Sequence, residues 1–232
     1  MRTLLALCLV LLASGCASTG ETNPRDPWEG FNRPVYAFND AVDKAVLKPV
    51  AQGYKAVVPK PARTGVTNFF GNLDDIGTAL NNFLQGKASQ GASDVGRFAV
   101  NSIFGILGLW DVATPMGLEK HNEDFGQTLG WWGVPSGPYL MIPLLGPSTA
   151  RDAPARIVDP QYLQGRYLDN EAAMWILTGT NIINLRANLL DAEKVLDDAA
   201  LDKYSFLRDA WLQRRQNAVY DGKPPKRKDD DF

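Results

Sequence analysis

The chain has 232 residues, 24 Lys and Arg against 26 Asp and Glu, a net charge of −2 and 45% hydrophobic residues. That balance excludes a nucleic-acid binder working through a strongly basic face, and the length is enough for one hydrophobic core. Two cysteines and one histidine exclude a disulfide-dense scaffold and a Cys/His metal centre.

At the start, Arg2 precedes an apolar run from Leu4 to Leu12 that ends in Leu12-Ala13-Ser14-Gly15-Cys16. The run is far shorter than the roughly 20 apolar residues that cross a bilayer, so residues 1–15 read as a cleaved secretion signal. A cysteine directly after the small residues is the pattern of bacterial lipoproteins, whose thiol is diacylated, and Cys16 is the expected lipidation site. Cys8 leaves with the signal, so no disulfide is expected in the body. Ala17 carries no inner-membrane retention signal of the Asp kind, which favours the outer membrane. Residues 16–26 read as the lipidated N-terminus with a polar tether, 27–220 as a single domain, and 221–232 as a disordered charged tail.

From Trp28, apolar residues at 28, 31, 35, 38, 42 and 46 have the spacing of one helical face. Pro34 should restart or kink this helix and Pro49 should end it. Asn72 ahead of Leu73-Asp74-Asp75 predicts an N-cap opening a helix through Leu84, closed by Gly86, and a third helix is expected from about Ala88 to Phe104. No sustained period-two alternation occurs, so the expected class is mainly α. Further on, Leu185, Leu189, Ala192, Leu196 and Ala199 form one stripe and Tyr204, Leu207, Trp211 and Val219 another, predicting an antiparallel helical pair on the water side. Arg208, Arg214 and Arg215 on the second member are either a solvated face or the partners of acids.

Two stretches stand apart. Phe125 to Ala150 contains no Asp, Glu, Lys or Arg in a chain that is 22% charged, yet Pro135, Pro138, Pro143 and Pro147 forbid a continuous spanning helix. Ala172 to Leu185 is also uncharged and too short to span. Irregular apolar backbone at membrane depth is tolerated only where protein buries it or it lines a cavity. Composition leaves both stretches open as globular core or as membrane-facing surface, and Trp131, Trp132 and Tyr139 as core aromatics or an interfacial belt.

Catalytic signatures are missing. No Gly-x-Ser-x-Gly elbow occurs, and Gly105-Ile106-Leu107-Gly108 follows a helix rather than a strand, so it is no phosphate loop. Paired acids such as Asp74/Asp75, Glu123/Asp124 and Asp197/Asp198 are adjacent and point to different helix faces. His121 alone builds no metal site and reads as a surface or capping residue. The expectation is a protein without enzyme activity, metal or cofactor.

A dispersed set of residues carries a resemblance. It begins at Asp26-Pro27 with Glu29, Asn32-Arg33 and Phe38-Asn39, and continues through Asn68-Phe69, Asn72-Leu73 and Leu84-Gln85-Gly86. It is densest at Arg97-Phe98, Asn101, Gly105, Gly108-Leu109, Asp111-Val112-Ala113, the run Phe125 to Gly130, Gly137-Pro138-Tyr139, Pro143 and Arg151-Asp152. Arg186-Ala187, Leu189-Leu190, Tyr204 and Arg208 complete it. On these residues, from about Asp26 to Arg215, the chain resembles the MlaA (VacJ) family of Gram-negative outer-membrane lipoproteins. Ile76, Ser102 and Lys203 depart from the family pattern, at helix starts or flanks.

The resemblance implies a ring-like bundle of amphipathic helices in the inner leaflet of the outer membrane, around a central channel and associated with trimeric porins. Phospholipid misplaced in the outer leaflet would enter the channel and pass to the soluble periplasmic carrier MlaC, with no cofactor. Phe125 to Leu145 is the expected channel wall, with Phe98 to Trp110 as its helical neighbour. Asn101, Gln127, Thr128 and Tyr139 are candidates for polar contacts, Phe98, Phe125, Trp131 and Met141 for apolar ones, and Phe38-Asn39 for holding the floor of the ring. The same amides and hydroxyls also suit helix capping alone. A lipoprotein that scaffolds porins without transport is the competing reading; an exported lipid hydrolase is a third, for which no nucleophile and base are evident.

Overall fold

The computed structural model describes residues 23–159 and 170–225, without the side chains of 194–199. The signal, Cys16 and the tail from residue 226 lie outside the described residues.

The first long segment is α1 (Glu29–Val42), a π-turn (Asp43–Leu47) and α2 (Lys48–Val57). Pro34 lies inside α1 without ending it. Pro49 does not end the segment either. In the π-turn the Lys48 amide donates to the Asp43 carbonyl, one residue further back than in an α-helix, and this widened turn carries the chain past a residue with no N–H to give.

Helix α3 (Lys60–Leu84) starts well before Asn72, at Pro59, with Pro61 in its first turn, where a missing N–H costs nothing. Asn72 and Asp75 are therefore buried interior residues, and the predicted N-cap is overturned: the Asn72 Nδ2 donates to Ser102 Oγ at 3.0 Å. Gly86, at φ +77°, closes the helix as expected. The short Gln85–Lys87 turn folds α4 (Ala88–Ile103) back along α3, and Asn82 Nδ2 ties them by donating to Asp94 at 2.7 Å.

A loop leads to α5 (Phe125–Trp131), capped by Asp124, whose carboxylate accepts from the Gln127 amide. The proline-rich stretch then forms a feature that the sequence did not signal: an antiparallel hairpin, β1 (Tyr139–Ile142) with β2 (Gly146–Thr149), pairing Tyr139 with Thr149 and Ile142 with Gly146. Next come α6 (Asp152–Val158), α7 (Glu171–Ala199) and α8 (Lys203–Val219). The expected α7/α8 pair is replaced by other partners. Helix α7 packs on α2 and α3, where Ala187 and Leu190 meet Ala51. Helix α8 packs on α5, and its Tyr204 joins Tyr139 and Met141 in the second small apolar cluster.

The distribution of polarity is the main result of the fold. Among the described residues, buried polar and charged side chains outnumber buried hydrophobic ones, and both apolar clusters are small. The described part of the stripe on α7 faces outward, Leu196 and Ala199 lying outside the described side chains: Leu185 is 54% and Leu189 58% exposed, while Asn184, Ala187 and Leu190 turn inward. On α1 the stripe residues Trp28 and Phe38 are exposed and Asn32 is fully buried.

Candidate functional site

The interior is organised by ion pairs between carboxylates and basic side chains. Arg97, almost fully buried, donates to the Leu118 carbonyl at 2.5 Å, to Thr114 Oγ1 at 3.0 Å and to Asp111 at 3.1 Å, and lies 3.6 Å from Asp75. Lys120 Nζ reaches across from the loop to the same Asp75. His121, expected as a surface or capping residue, is half-buried, its Nδ1 2.9 Å from Asp94. Asn101 Oδ1 accepts the amides of Val112 and Ala113 and so holds the loop against α4. A buried charge is tolerated because each of these groups has a partner.

On the other side of α3, Gln85 Nε2 donates to Glu123 at 2.8 Å and to Thr128 at 3.1 Å, and Thr128 Oγ1 donates to Asn81 at 2.8 Å. Arg215 of α8 holds Asp124 with both terminal nitrogens and donates from Nε to Asp152 at 2.7 Å, clasping α5 to α6. Burial pushes the carboxyls of Asp75 and Glu123 above the ordinary carboxylate range. Burial also acts against Asp124, but the Arg215 hydrogen bonds and charge override it and hold that carboxyl below the ordinary range. For Asp111, burial is outweighed by hydrogen bonds from Thr114 and by Arg97, which bring it down to about 2.

Two cavities run beside this framework. The larger, about 640 Å³, lies between the end of α8 and the α5/α6 corner, with Gln127, Asp152, Arg156, Arg214 and Arg215 in its wall. The smaller, about 330 Å³, lies between α3, α4 and α7, with Asn72, Arg97, Asn101 and Asn184 in its wall. Asp74 and Asn122 line both, so the cavities adjoin at that pair.

The predicted residues are distributed unevenly over this site. Gln127 and Asn101 each line one cavity. Thr128 is buried in the network beside them. Phe98 and Phe125 are half-buried, with the Phe125 ring edge-on to Trp132 at 6.4 Å. Tyr139 and Met141 belong to the apolar cluster against α8, away from both cavities. Trp131 and Phe38 are exposed, Trp131 beneath the Lys87 ammonium at 4.7 Å. Asn39 is a latch: its Nδ2 donates to the Ile142 carbonyl at 3.0 Å and its Oδ1 accepts the Leu144 amide at 2.7 Å, pinning the hairpin tip to α1. Of the expected wall from Phe125 to Leu145, only Gly126 and Gln127 border the larger cavity; among its other lining residues are Asp74, Asn122, Asp152, Arg156, Arg214 and Arg215, which the sequence did not single out as wall residues.

Around this polar interior the surface carries apolar ridges. Ile103, Phe104, Ile106, Leu107 and Trp110 are exposed, as are Trp131, Trp132, Leu144, Leu145, Trp175 and Ile176. Ile106 and Leu107 have φ of 51° and 57°, strained for residues with a Cβ and for a β-branched one above all. Beneath them Gly105 and Gly108 approach so closely that a Cβ would strike the Trp110 carbonyl or the Asn72 side chain. No described helix is long and apolar enough to cross a membrane.

Comparison with known proteins supplies the family. Residues 24–218 match the MlaA lipoprotein family model. The intermembrane phospholipid transport system lipoprotein MlaA of Escherichia coli K12 is 39% identical over 90% of this chain and 85% of its own length. The protein so named in Haemophilus influenzae is 32% identical over 95% of this chain and 91% of its own. A solved chain, described under the structural basis for maintenance of bacterial outer membrane lipid asymmetry, superposes with a TM-score of 0.72 at 36% identity. It covers 84% of this chain and 98% of its own.

Proposed function

Because the chain belongs to the MlaA lipoprotein family, we propose that it is the outer-membrane lipoprotein of an intermembrane phospholipid transport system and maintains outer-membrane lipid asymmetry. It takes phospholipid that has strayed into the outer leaflet, passes it through a central amphipathic channel and delivers it to the periplasmic carrier MlaC. Diacylated Cys16 anchors it, since two acyl chains hold a protein on a bilayer where one does not. Trimeric porins cover part of its rim.

One observation carries this reading: the polarity of the molecule is reversed, with hydrogen-bonded charge inside and large apolar side chains outside. In water each such side chain forgoes about 1.5–3 kcal/mol of burial, so water is the wrong solvent for this surface. Seated in one leaflet, the ridges at 103–110 and 131–132 meet acyl chains while the interior keeps a wet polar path. Backbone strain at Ile106 and Leu107 is what a structure tolerates to hold apolar side chains outward at a working surface. Selection is then by position: a path open to the outer leaflet accepts whichever phospholipid diffuses to it, polar walls carrying the headgroup and apolar surface the chains.

The test is the outer-leaflet phospholipid content of cells lacking the gene, complemented with wild type or with Cys16→Ala. Phospholipid rises on deletion and only the lipidated protein restores it. If it never rises, the porin scaffold replaces transport.

A further inference from the structure

The fold leaves a few buried polar atoms unmatched, and three of them belong to residues in the wall of the smaller cavity. Asn72 Oδ1, Asp75 Oδ2 and Arg97 Nε have no hydrogen-bond partner among the described residues, and all three side chains are at least 97% buried. Their other polar atoms are committed. Asn72 Nδ2 donates to Ser102, Asp75 Oδ1 accepts from Lys120, and the terminal nitrogens of Arg97 hold Thr114, Leu118 and Asp111. Arg97 Nε stands 3.6 Å from Asp75 Oδ2, too far for a hydrogen bond. Buried polar atoms in this condition are costly until another group completes them.

Three carboxylates of that wall, Asp74, Asp75 and Asp111, stand against two cations, Arg97 and Lys120. The two unmatched oxygens therefore call for a donor, and a cationic donor suits the balance of charge. At about 330 Å³ the cavity has the volume of a small polar group's site. Leu185 lines it too and is 54% exposed, on the same face of α7 as the exposed Ile182 and Leu189. A polar cavity thus borders an outward apolar helix face, the juxtaposition that a headgroup with acyl chains requires.

Resting on the transport reading above, we propose that the smaller cavity selects phosphatidylethanolamine, whose primary ammonium donates to Asn72 Oδ1 and Asp75 Oδ2. An ammonium has three N–H donors, enough for both oxygens, and its bond to a carboxylate is of the stronger, charge-assisted kind. The phosphodiester of the same headgroup offers Arg97 Nε an acceptor, and the chains leave across Leu185. The trimethylated ammonium of phosphatidylcholine carries the same charge and no N–H, so it completes neither oxygen.

The full lipidated chain in detergent is titrated by calorimetry with the dihexanoyl forms of phosphatidylethanolamine, phosphatidylcholine and phosphatidylglycerol, and with free phosphoethanolamine. Wild type prefers phosphatidylethanolamine to phosphatidylcholine by at least about tenfold, the worth of a hydrogen bond to a charged group. Asn72→Ala cuts that preference by about threefold or more. Ser102→Ala, which removes the group that Asn72 Nδ2 donates to and leaves both acceptors in place, keeps it. The readout is a ratio of two lipids on one protein, so a partly unfolded variant lowers both affinities without imitating the result. Equal binding of the two lipids by wild type, or a preference untouched by Asn72→Ala, overturns the assignment and leaves transport standing. Phosphatidylglycerol, with hydroxyl donors and a net negative charge, overturns the ammonium if it binds as tightly as phosphatidylethanolamine. Phosphoethanolamine binding as tightly as the lipid replaces the headgroup with a free solute. Wild type that binds no lipid defeats the transport reading itself.

Discussion

The Arg97 network and the loop at 103–110 are neighbours in the fold and opposites in chemistry. Around Arg97 the contacts are directed hydrogen bonds to Leu118, Thr114 and Asp111 and a looser ion pair with Asp75, between groups that tolerate burial only because they have partners. In the loop, Phe104, Ile106, Leu107 and Trp110 extend away from the protein and pack on little of it. The lesson is that stability is housed apart from the exposed apolar surface: polar pairing holds the helices together, and the apolar side chains of the loop stay idle as core. Variants that move one property without the other sharpen the contrast.

The largest effect belongs to the interior. Arg97→Ala leaves Asp75 and Asp111 short of their buried cation, and about 3–5 kcal/mol of stability should be lost, read as a fall in thermal midpoint in mild detergent; an unchanged midpoint breaks the comparison. Asn39→Ala removes the two hydrogen bonds that pin the hairpin tip and should cost about 1–3 kcal/mol. The local signature is faster hydrogen exchange at the Leu144 amide with the α3 amides unaffected.

Acid dependence follows from the same pairs. Asp111 and Asp124 sit below their ordinary values in the folded chain, so the stability they contribute is complete above the ordinary carboxylate range and is lost as the pH falls, for Asp111 from 3.8 towards about 2. Asp75 and Glu123 are raised and act in the opposite sense, costing stability above their folded values and regaining it on protonation. Thermal midpoints measured from pH 7 to 2 should show an acid limb that is shallower in Asp111→Asn. The smallest stability effect is expected on the rim. Ile106→Gly relieves a left-handed β-branched residue and should leave the midpoint within about 1 kcal/mol of wild type or raise it. The same change should reduce flotation of the protein with phospholipid vesicles, and undiminished flotation would remove this loop from the membrane surface.

Much of the fold is legible in the amino-acid sequence. The boundaries of α4 and the Gly86 stop follow from local chemistry, because capping and turn conformation are decided within a few residues. The helical spacing of 28, 31, 35 and 38 is equally legible. Asn72 misleads because an amide before two acids has the form of an N-cap, whereas Pro59 and Pro61 already start that helix twelve residues earlier and tertiary contacts bury the amide. The hairpin at Tyr139–Thr149 escapes because its four-residue strands are too short to show alternation, and its register is held by Asn39, some hundred residues away.

By itself, then, the sequence determined that the chain is helical, where several of its turns fall, that it carries an exported lipoprotein's N-terminal pattern, and which family its motifs resemble. Only the tertiary structure decided which way the helices face. Periodicity measures the angle between the apolar and polar sides of a helix and says nothing about what lies beyond each side. The Leu185–Leu189 stripe fits core and lipid equally well until Asn184 and Ala187 are seen to occupy the inward position. The cavity wall was hidden for a related reason. Arg215 meets Asp124 across 91 residues of chain, and a pairing between residues so distant is set by the packing of α5, α6 and α8 and by no local pattern.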